Sequence, residues 1–194
     1  WNSTILRQAR REALITALVR LGADVIALQE VPTAFGTGTQ DAGAVLAEQS
    51  KYPYHYFRAY PNDPDEGLAI LSLHPLDNVC AEWDEPYSKL PACAIGAVAM
   101  IAGYQFSLVN LHLDWSSIAV REQQITRVVV WHNTRKAPGS WSLLCGDFNA
   151  IPESSVYRFL QGQQSLHGVE TQPWIDLAAY DAFVKRKATA ATLD

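Results

Sequence analysis

The chain has 194 residues, with 15 Lys and Arg against 20 Asp and Glu and a formal net charge of −5. At 48% hydrophobic and 18% charged residues, it has globular composition and is long enough to bury a sizeable core, which excludes collagen-like, low-complexity and disordered classes. The acidic balance argues against holding nucleic acid by charge alone, since that needs clustered Lys and Arg to displace phosphate counterions, but leaves a metal-assisted nuclease open.

The N-terminal pattern predicts an amphipathic helix capped by Ser3 or Thr4, with Ile5, Leu6, Ala9, Ala13, Leu14, Ala17, Leu18 and Leu21 on its apolar face and Gly22 ending it. Ala23 to Val31 reads as a buried strand whose polar residues gather at its C-terminal end, where α/β sites usually lie. Thr33 to Gln40 is a Gly- and Thr-rich loop, Asp41 to Ser50 a weak helix, and Tyr54 to Tyr60 an aromatic strand. Pro61 to Glu66 reads as an acidic turn and Gly67 to Ser72 as the next strand, followed by an irregular stretch.

Leu90 to Leu113 carries no formal charge over 24 residues, a length that raises the question of a membrane span. Gly103, Gln105, Asn110 and His112, with alternation on both sides of Ala102-Gly103, give a two-stranded hairpin instead, so no membrane span is expected. Ser117 to Thr134 is helical, Trp141 to Cys145 a strand, Ser154 to Leu160 a short helix, and Leu177 to Phe183 a strand or turn. Cys80, Cys93 and Cys145 lack CxxC spacing, so neither a disulfide framework nor a zinc site is indicated, and they read as reduced core thiols. Together with the absence of a visible targeting segment before Trp1, they favour a cytoplasmic location. Strands and helices mix without strict βαβα alternation around a long hairpin, which favours two packed sheets flanked by helices.

Polar groups stand at the ends of three apolar strands: Glu30, Asn110 with His112, and Asp147 with Asn149. The spacing places them at one sheet edge, where Glu30 and Asp147 would offer the carboxylate oxygens that Mg²⁺ prefers, with few protein ligands and retained water.

In these residues the chain resembles the endonuclease/exonuclease/phosphatase superfamily. Trp1-Asn2 resembles the end of the family's first strand, Gln29-Glu30 its Gln-Glu motif, and Glu66-Gly67-Leu68-Ala69-Ile70-Leu71-Ser72 with Leu73-His74-Pro75 its strand before an Arg/His-Pro turn. Asn110-Leu111-His112-Leu113 is similar to its His strand, and Gly146-Asp147-Phe148-Asn149 to its Gly-Asp-Phe-Asn motif. The resemblance implies a four-layer α/β/β/α sandwich of two mixed sheets flanked by helices, formed as one domain over residues 1–194. It implies that Glu30 ligates Mg²⁺ or Mn²⁺ with help from Asn2, that Asp147 orients and helps activate the attacking water, and that Asn149 holds that water or a phosphoryl oxygen. His112 would donate to a non-bridging phosphoryl oxygen as charge develops, and the metal would act as a Lewis acid.

The family pattern continues with a later Asp and a terminal Ser-Asp-His, and neither is present, so the chain is expected to lack the start of the first strand and the C-terminal strands. Asp181 resembles an aspartate that precedes that part. The implied activity is metal-dependent phosphoester hydrolysis, with a phosphodiester ranked first: nucleic acid, which the charge does not support, a lipid headgroup or a small molecule. The alternative is a catalytically inactive fragment or binding module of the same fold.

Plainer readings stand beside these. His112 between Leu111 and Leu113 would also suit a hydrogen-bonded core histidine, Asn149 a turn residue before Ile151-Pro152, and Trp115 a core-edge aromatic rather than a stacking platform. His55, His74, His132 and His167 read as structural, Asp63, Asp65 and Glu66 as a solvated acidic turn, and Lys185-Arg186-Lys187 as a solvated basic face.

Overall fold

The computed structural model describes residues 4–35, 41–84 and 90–180. Asn2, Asp181 and the basic cluster at Lys185 to Lys187 lie outside the described residues. The chain divides into two compact units, residues 1–149 and 150–194.

The first unit begins with helix α1 (Thr4–Leu21), strand β1 (Val25–Pro32), helix α2 (Ala42–Ser50) and strands β2 (Tyr54–Ala59), β3 (Glu66–Ser72) and β4 (Asp77–Ala81). A 3-10 turn at Glu82–Asp84 leads to β5 (Ala94–Ile101), β6 (Tyr104–His112), α3 (Ile118–Arg135) and β7 (Trp141–Asp147). Gly22 stops α1 at φ 54°, a left-handed conformation that glycine adopts without a Cβ penalty. Asp41 caps α2 by accepting the Ala44 N–H at 2.7 Å, and Ser117 caps α3 by accepting the Val120 N–H at 3.3 Å.

Among the described residues three strands form one sheet in the order β1-β3-β2, antiparallel throughout, and four form a second in the order β4-β5-β6-β7. Among the described residues only β6 and β7 pair in parallel, because α3 carries the chain back along the sheet between them, whereas the other described pairs join antiparallel neighbours. Alternate residues of β3 serve two cores. Ala69 and Leu71 pack with Leu18 of α1 and Leu46 and Ala47 of α2, while Leu68 and Ile70 meet Ile95 and Ala97 of β5 between the sheets. On the far side, a Cβ at Gly96 of β5 would lie 2.9 Å from the Trp131 ring of α3. The layers therefore run helices, sheet, sheet, helix, the expected four-layer sandwich.

His132 shows how α3 is fastened. It is 4% exposed and its Nε2 lies 2.8 Å from Ser142 Oγ of β7. Burial, with the nearby Lys136 cation, pushes its imidazole down to about 4. Between that value and the ordinary one near 6.5, the unfolded chain binds a proton the folded chain does not, so this contribution is present above about pH 6.5 and is lost as the pH falls toward 4. Urea unfolding of the native protein and of His132→Asn at pH 7 and near pH 4.5 should show their stability difference shrinking in acid by about 2 kcal/mol. Glu66 and Glu82, whose carboxyls burial pushes up, act with the opposite sign but equally in both proteins. A pH-independent difference would overturn the assignment.

The second unit holds helix α4 (Ser155–Leu160), capped by Ser154, and a turn at 177–180 that is helical rather than strand, begun by Asp176 Oδ1 accepting the Ala179 N–H at 3.0 Å. Two further expectations need correction. The irregular stretch after Ser72 contains β4, and of the three cysteines only Cys93 is a core thiol: Cys80 is half-buried and Cys145 is exposed on β7. No helix among the described residues is long and apolar enough to cross a membrane.

Candidate active site

The site starts from an irregularity in β1. Leu28 pairs with Ala69 and Val31 with Gly67, so Gln29 and Glu30 together oppose the single residue Leu68, forming a bulge. Glu30 sits there at φ 53° with its side chain exposed. A non-glycine residue in this region costs about 1 kcal/mol or more, and such strain concentrates at functional sites.

The bulge turns Gln29 toward the other sheet, where its Nε2 donates to Asn110 Oδ1 at 2.7 Å. Asn110 is 0% exposed, and its Nδ2 donates to Leu28 O at 2.8 Å and Ala69 O at 2.9 Å. One buried side chain on β6 thus ties that strand to β1 and β3, and β1 packs against both β6 and β7.

Two residues beyond Asn110, His112 pairs in register with Asp147 at the ends of the parallel strands. Its backbone N–H donates to Cys93 O at 2.8 Å, and its Nδ1 lies 3.2 Å from the Tyr60 hydroxyl. The loop carrying Cys93 is locked from behind: buried Glu82 accepts the Cys93 N–H and an Arg127 Nη2 hydrogen, both at 2.7 Å. Burial raises the Glu82 carboxyl against the opposing pull of Arg127.

Asp147 is exposed, and its Oδ1 accepts the Asn149 N–H at 2.8 Å. Asn149, at φ 45°, donates from Nδ2 to Leu113 O at 2.9 Å, and Leu113 N–H in turn donates to Asp147 O at 2.9 Å. The Gly-Asp-Phe-Asn turn is therefore stitched to the end of β6. The turn reading of Asn149 holds, and it leaves the amide oxygen as the acceptor that can face a water.

Two residues join that the sequence left aside. Tyr60 is 9% exposed beside His112. Glu66, read as part of a solvated turn, opens β3 and is only partly exposed; burial raises its carboxyl, the charges of Glu30 and Asp63 raise it further, and His112 lowers it. Glu30, Glu66, Tyr60 and His112 thus share one electrostatic neighbourhood. For Glu66 the available signal was its place at the head of the Glu-Gly-Leu-Ala-Ile-Leu-Ser strand.

The donor chemistry fits a hard divalent cation. Among the described residues no three His, Cys, Asp or Glu form a metal-holding group. Mg²⁺ does not require one, being held typically by one or two carboxylates with water and phosphate oxygens, and a cation beside Glu30 would relieve the repulsion felt by Glu66. Beyond His112 the chain is stiff. Asp114 Oδ1 accepts from Ser116 N and Oγ, both at 2.9 Å, and from Ser117 N at 2.6 Å. Against desolvation, these donors hold the Asp114 carboxyl below its ordinary value. On this fixed turn Trp115 is 79% exposed, not a core-edge aromatic. His74 pairs with Asp24 at 2.8 Å, in keeping with its structural reading.

The chain belongs to the Endonuclease/Exonuclease/phosphatase family, whose pattern it matches over residues 2–194. Among solved structures it is similar to the catalytic domain of human Nocturnin with bound sulfate, at TM-score 0.62 and 20% identity over 81% of this chain and 62% of that one. It is also similar to ANGEL2, a 2',3'-cyclic phosphatase, at TM-score 0.60 and 20% identity over 76% of this chain and 46% of that one. D. rerio TDP2 complexed with single-strand DNA product matches at TM-score 0.55 and 18% identity over 73% of this chain and 54% of that one. The chain spans less than two thirds of the length of each of these. No curated protein matches it in sequence.

Proposed function

We propose that the chain carries the hydrolytic site of a metal-dependent phosphoesterase, with a phosphodiester as substrate. The observation that carries this is the convergence, through the Gln29–Asn110 tie, of the bulge bearing Glu30 with the strand ends bearing His112 and Asp147. Glu30 would hold Mg²⁺ or Mn²⁺, with Asn2 as the expected helper. When bound, the ion supplies Lewis-acid polarisation of the phosphoryl group.

The remaining work falls to the chain's own side chains. Asn149 N–H occupies Asp147 Oδ1 and so orients the carboxylate, leaving Oδ2 to accept a proton from the attacking water, with Asn149 Oδ1 as a second acceptor. Asn149 spends one Nδ2 hydrogen on Leu113 O, which leaves its second Nδ2 hydrogen and its Oδ1 to hold a phosphoryl oxygen or the water. His112 offers a donor to the phosphoryl oxygen on which charge builds. Trp115, exposed on its fixed turn, would stack on a planar group of the substrate. With a net charge of −5, a single strand or small diester suits the chain better than a duplex held by its backbone charge.

Hydrolysis of bis(p-nitrophenyl) phosphate, measured on the protein that carries this chain, tests the proposal with Mg²⁺, Mn²⁺ or a chelator. Turnover should require the metal, and Asp147→Ala should lower kcat at least about 10²-fold, the usual minimum for losing a general base. Turnover that survives both the chelator and Asp147→Ala would sink the reading, and metal binding without turnover would mark a binding module.

A further inference from the structure

The contact between Tyr60 and His112 ends at Nδ1, and that choice of nitrogen has a chemical consequence. The Tyr60 hydroxyl lies 3.2 Å from Nδ1 in a nearly closed environment, Tyr60 being 9% exposed. His112 Nδ1 is its hydrogen-bond partner among the described residues, while Nε2 has none there. A neutral imidazole has one N–H, so one nitrogen donates and the other accepts. If Nδ1 carried that hydrogen, Tyr60 would act as acceptor and its own buried O–H would be left without a partner, at the cost of an unmade hydrogen bond. If Tyr60 donates, both polar groups are satisfied and the ring's single hydrogen lies on Nε2. The phenol is available to donate throughout the working pH range, because burial and the charges of Glu66 and Glu30 push its ionisation far up.

We propose that Tyr60 is a positioning residue that fixes the tautomer of His112, so that the neutral ring presents Nε2–H, rather than a lone pair, to the phosphoryl oxygen of the substrate. The inference deepens the phosphoesterase reading and rests on it for the identity of the acceptor, though not for the tautomer. Three supports hold the pair in place. The Tyr60 ring packs 6.1 Å from Trp83, the Tyr60 N–H donates to Glu66 O at 2.9 Å, and the His112 N–H donates to Cys93 O at 2.8 Å. Rotation of the imidazole would give up the Tyr60 bond, so the arrangement pre-organises the donor before substrate arrives.

The test reads the tautomer directly. Long-range ¹H–¹⁵N correlation spectra of the labelled protein, recorded about two pH units above the ordinary histidine value of about 6.5, distinguish Nε2–H from Nδ1–H rings. His112 is assigned among the five histidines by its loss in His112→Asn. The native protein should show the Nε2–H form. Tyr60→Phe, which keeps the ring against Trp83, should show a mixed population, with kcat on bis(p-nitrophenyl) phosphate falling about tenfold, equivalent to one hydrogen bond, and KM changing less than about twofold.

An Nδ1–H or doubly protonated His112 in the native protein overturns the proposal, and this reading does not depend on Tyr60→Phe folding. A tautomer indifferent to Tyr60→Phe overturns it as well, and so does an unchanged kcat beside a changed tautomer. If the tautomer behaves as expected but no phosphodiester is turned over, the phosphoesterase reading falls and the assignment of the Tyr60–His112 bond stands.

Discussion

Asn110→Leu, close in volume to the native side chain, should destabilise the protein by about 4 kcal/mol in urea unfolding and remove its hydrolytic activity. Asn110 is 0% exposed and makes three hydrogen bonds, with Gln29 Nε2, Leu28 O and Ala69 O. Leucine makes none of them. Each buried group left unpaired costs about 1–3 kcal/mol, and the gain from burying an apolar side chain offsets part of the sum. Activity should fail for a separate reason: Gln29 lies in the bulge beside Glu30, and without Asn110 the bulge loses its tie to the strand that carries His112. Gln29→Leu alone leaves both carbonyls satisfied, so it should cost less stability than Asn110→Leu while disturbing activity. Equal stability losses in the two variants, or a loss below about 1 kcal/mol in Asn110→Leu, would show that the buried amide is not the clamp.

Why so much of this arrangement could be read from the sequence, and where reading stopped, follows from the range of the forces involved. Helices α1, α2 and α3 announce themselves by local chemistry: a cap such as Asp41 or Ser117, a 3.6-residue apolar period, and a stop such as Gly22. The β5–β6 hairpin is equally local, because its two apolar runs meet at Ala102-Gly103, both of which take positive φ. Strand β4 has no such mark. It is five residues long, Asn78 takes φ 50°, and its register shifts between Asp77 and Cys80, so no alternation survives to be seen. The helical turn at 177–180 did carry a signal, its Asp176 cap, but the run is too short for a period to show.

The candidate site divides the same way. Glu30, His112 and Asp147 are legible because each stands at or near the end of an apolar run, Glu30 in the bulge of β1 and the other two at the last positions of β6 and β7, and a polar residue there is conspicuous. Tyr60 and Glu66 are not, because their roles come from pairing and packing: Tyr60 meets His112 across 52 residues of chain, and Glu66 approaches Glu30 because β3 pairs with β1. Exposure is also a tertiary property. Trp115 follows Leu113-Asp114 and Cys145 ends an apolar run, yet both are exposed, one at the tip of an Asp-capped turn and the other on the strand that, among the described residues, ends its sheet.

Gly146 opens the Gly-Asp-Phe-Asn turn, and Gly146→Ala should be the most damaging single-methyl change, at more than about 4 kcal/mol. Two penalties combine. Its φ of 137° lies where side chains other than glycine are strained, and a Cβ there would stand 1.9 Å from Leu111 O and 2.8 Å from Leu111 C and N. Those are backbone atoms of the paired strand, so no side chain can swing aside: the end of β7 would have to separate from β6. That separation would break the register pairing of Gly146 with Leu111 and of Asp147 with His112. Gly139→Ala isolates the first penalty, because Gly139 also has positive φ, at 74°, but nothing lies within 4 Å of its added Cβ. It should cost only the conformational share, about 1 kcal/mol. The excess loss in Gly146→Ala then measures how closely β7 must approach β6 for Asp147 to stand beside His112. Equal losses at the two glycines would mean that the strand ends can part without cost, and that the pairing of those two side chains is not built into the sheet.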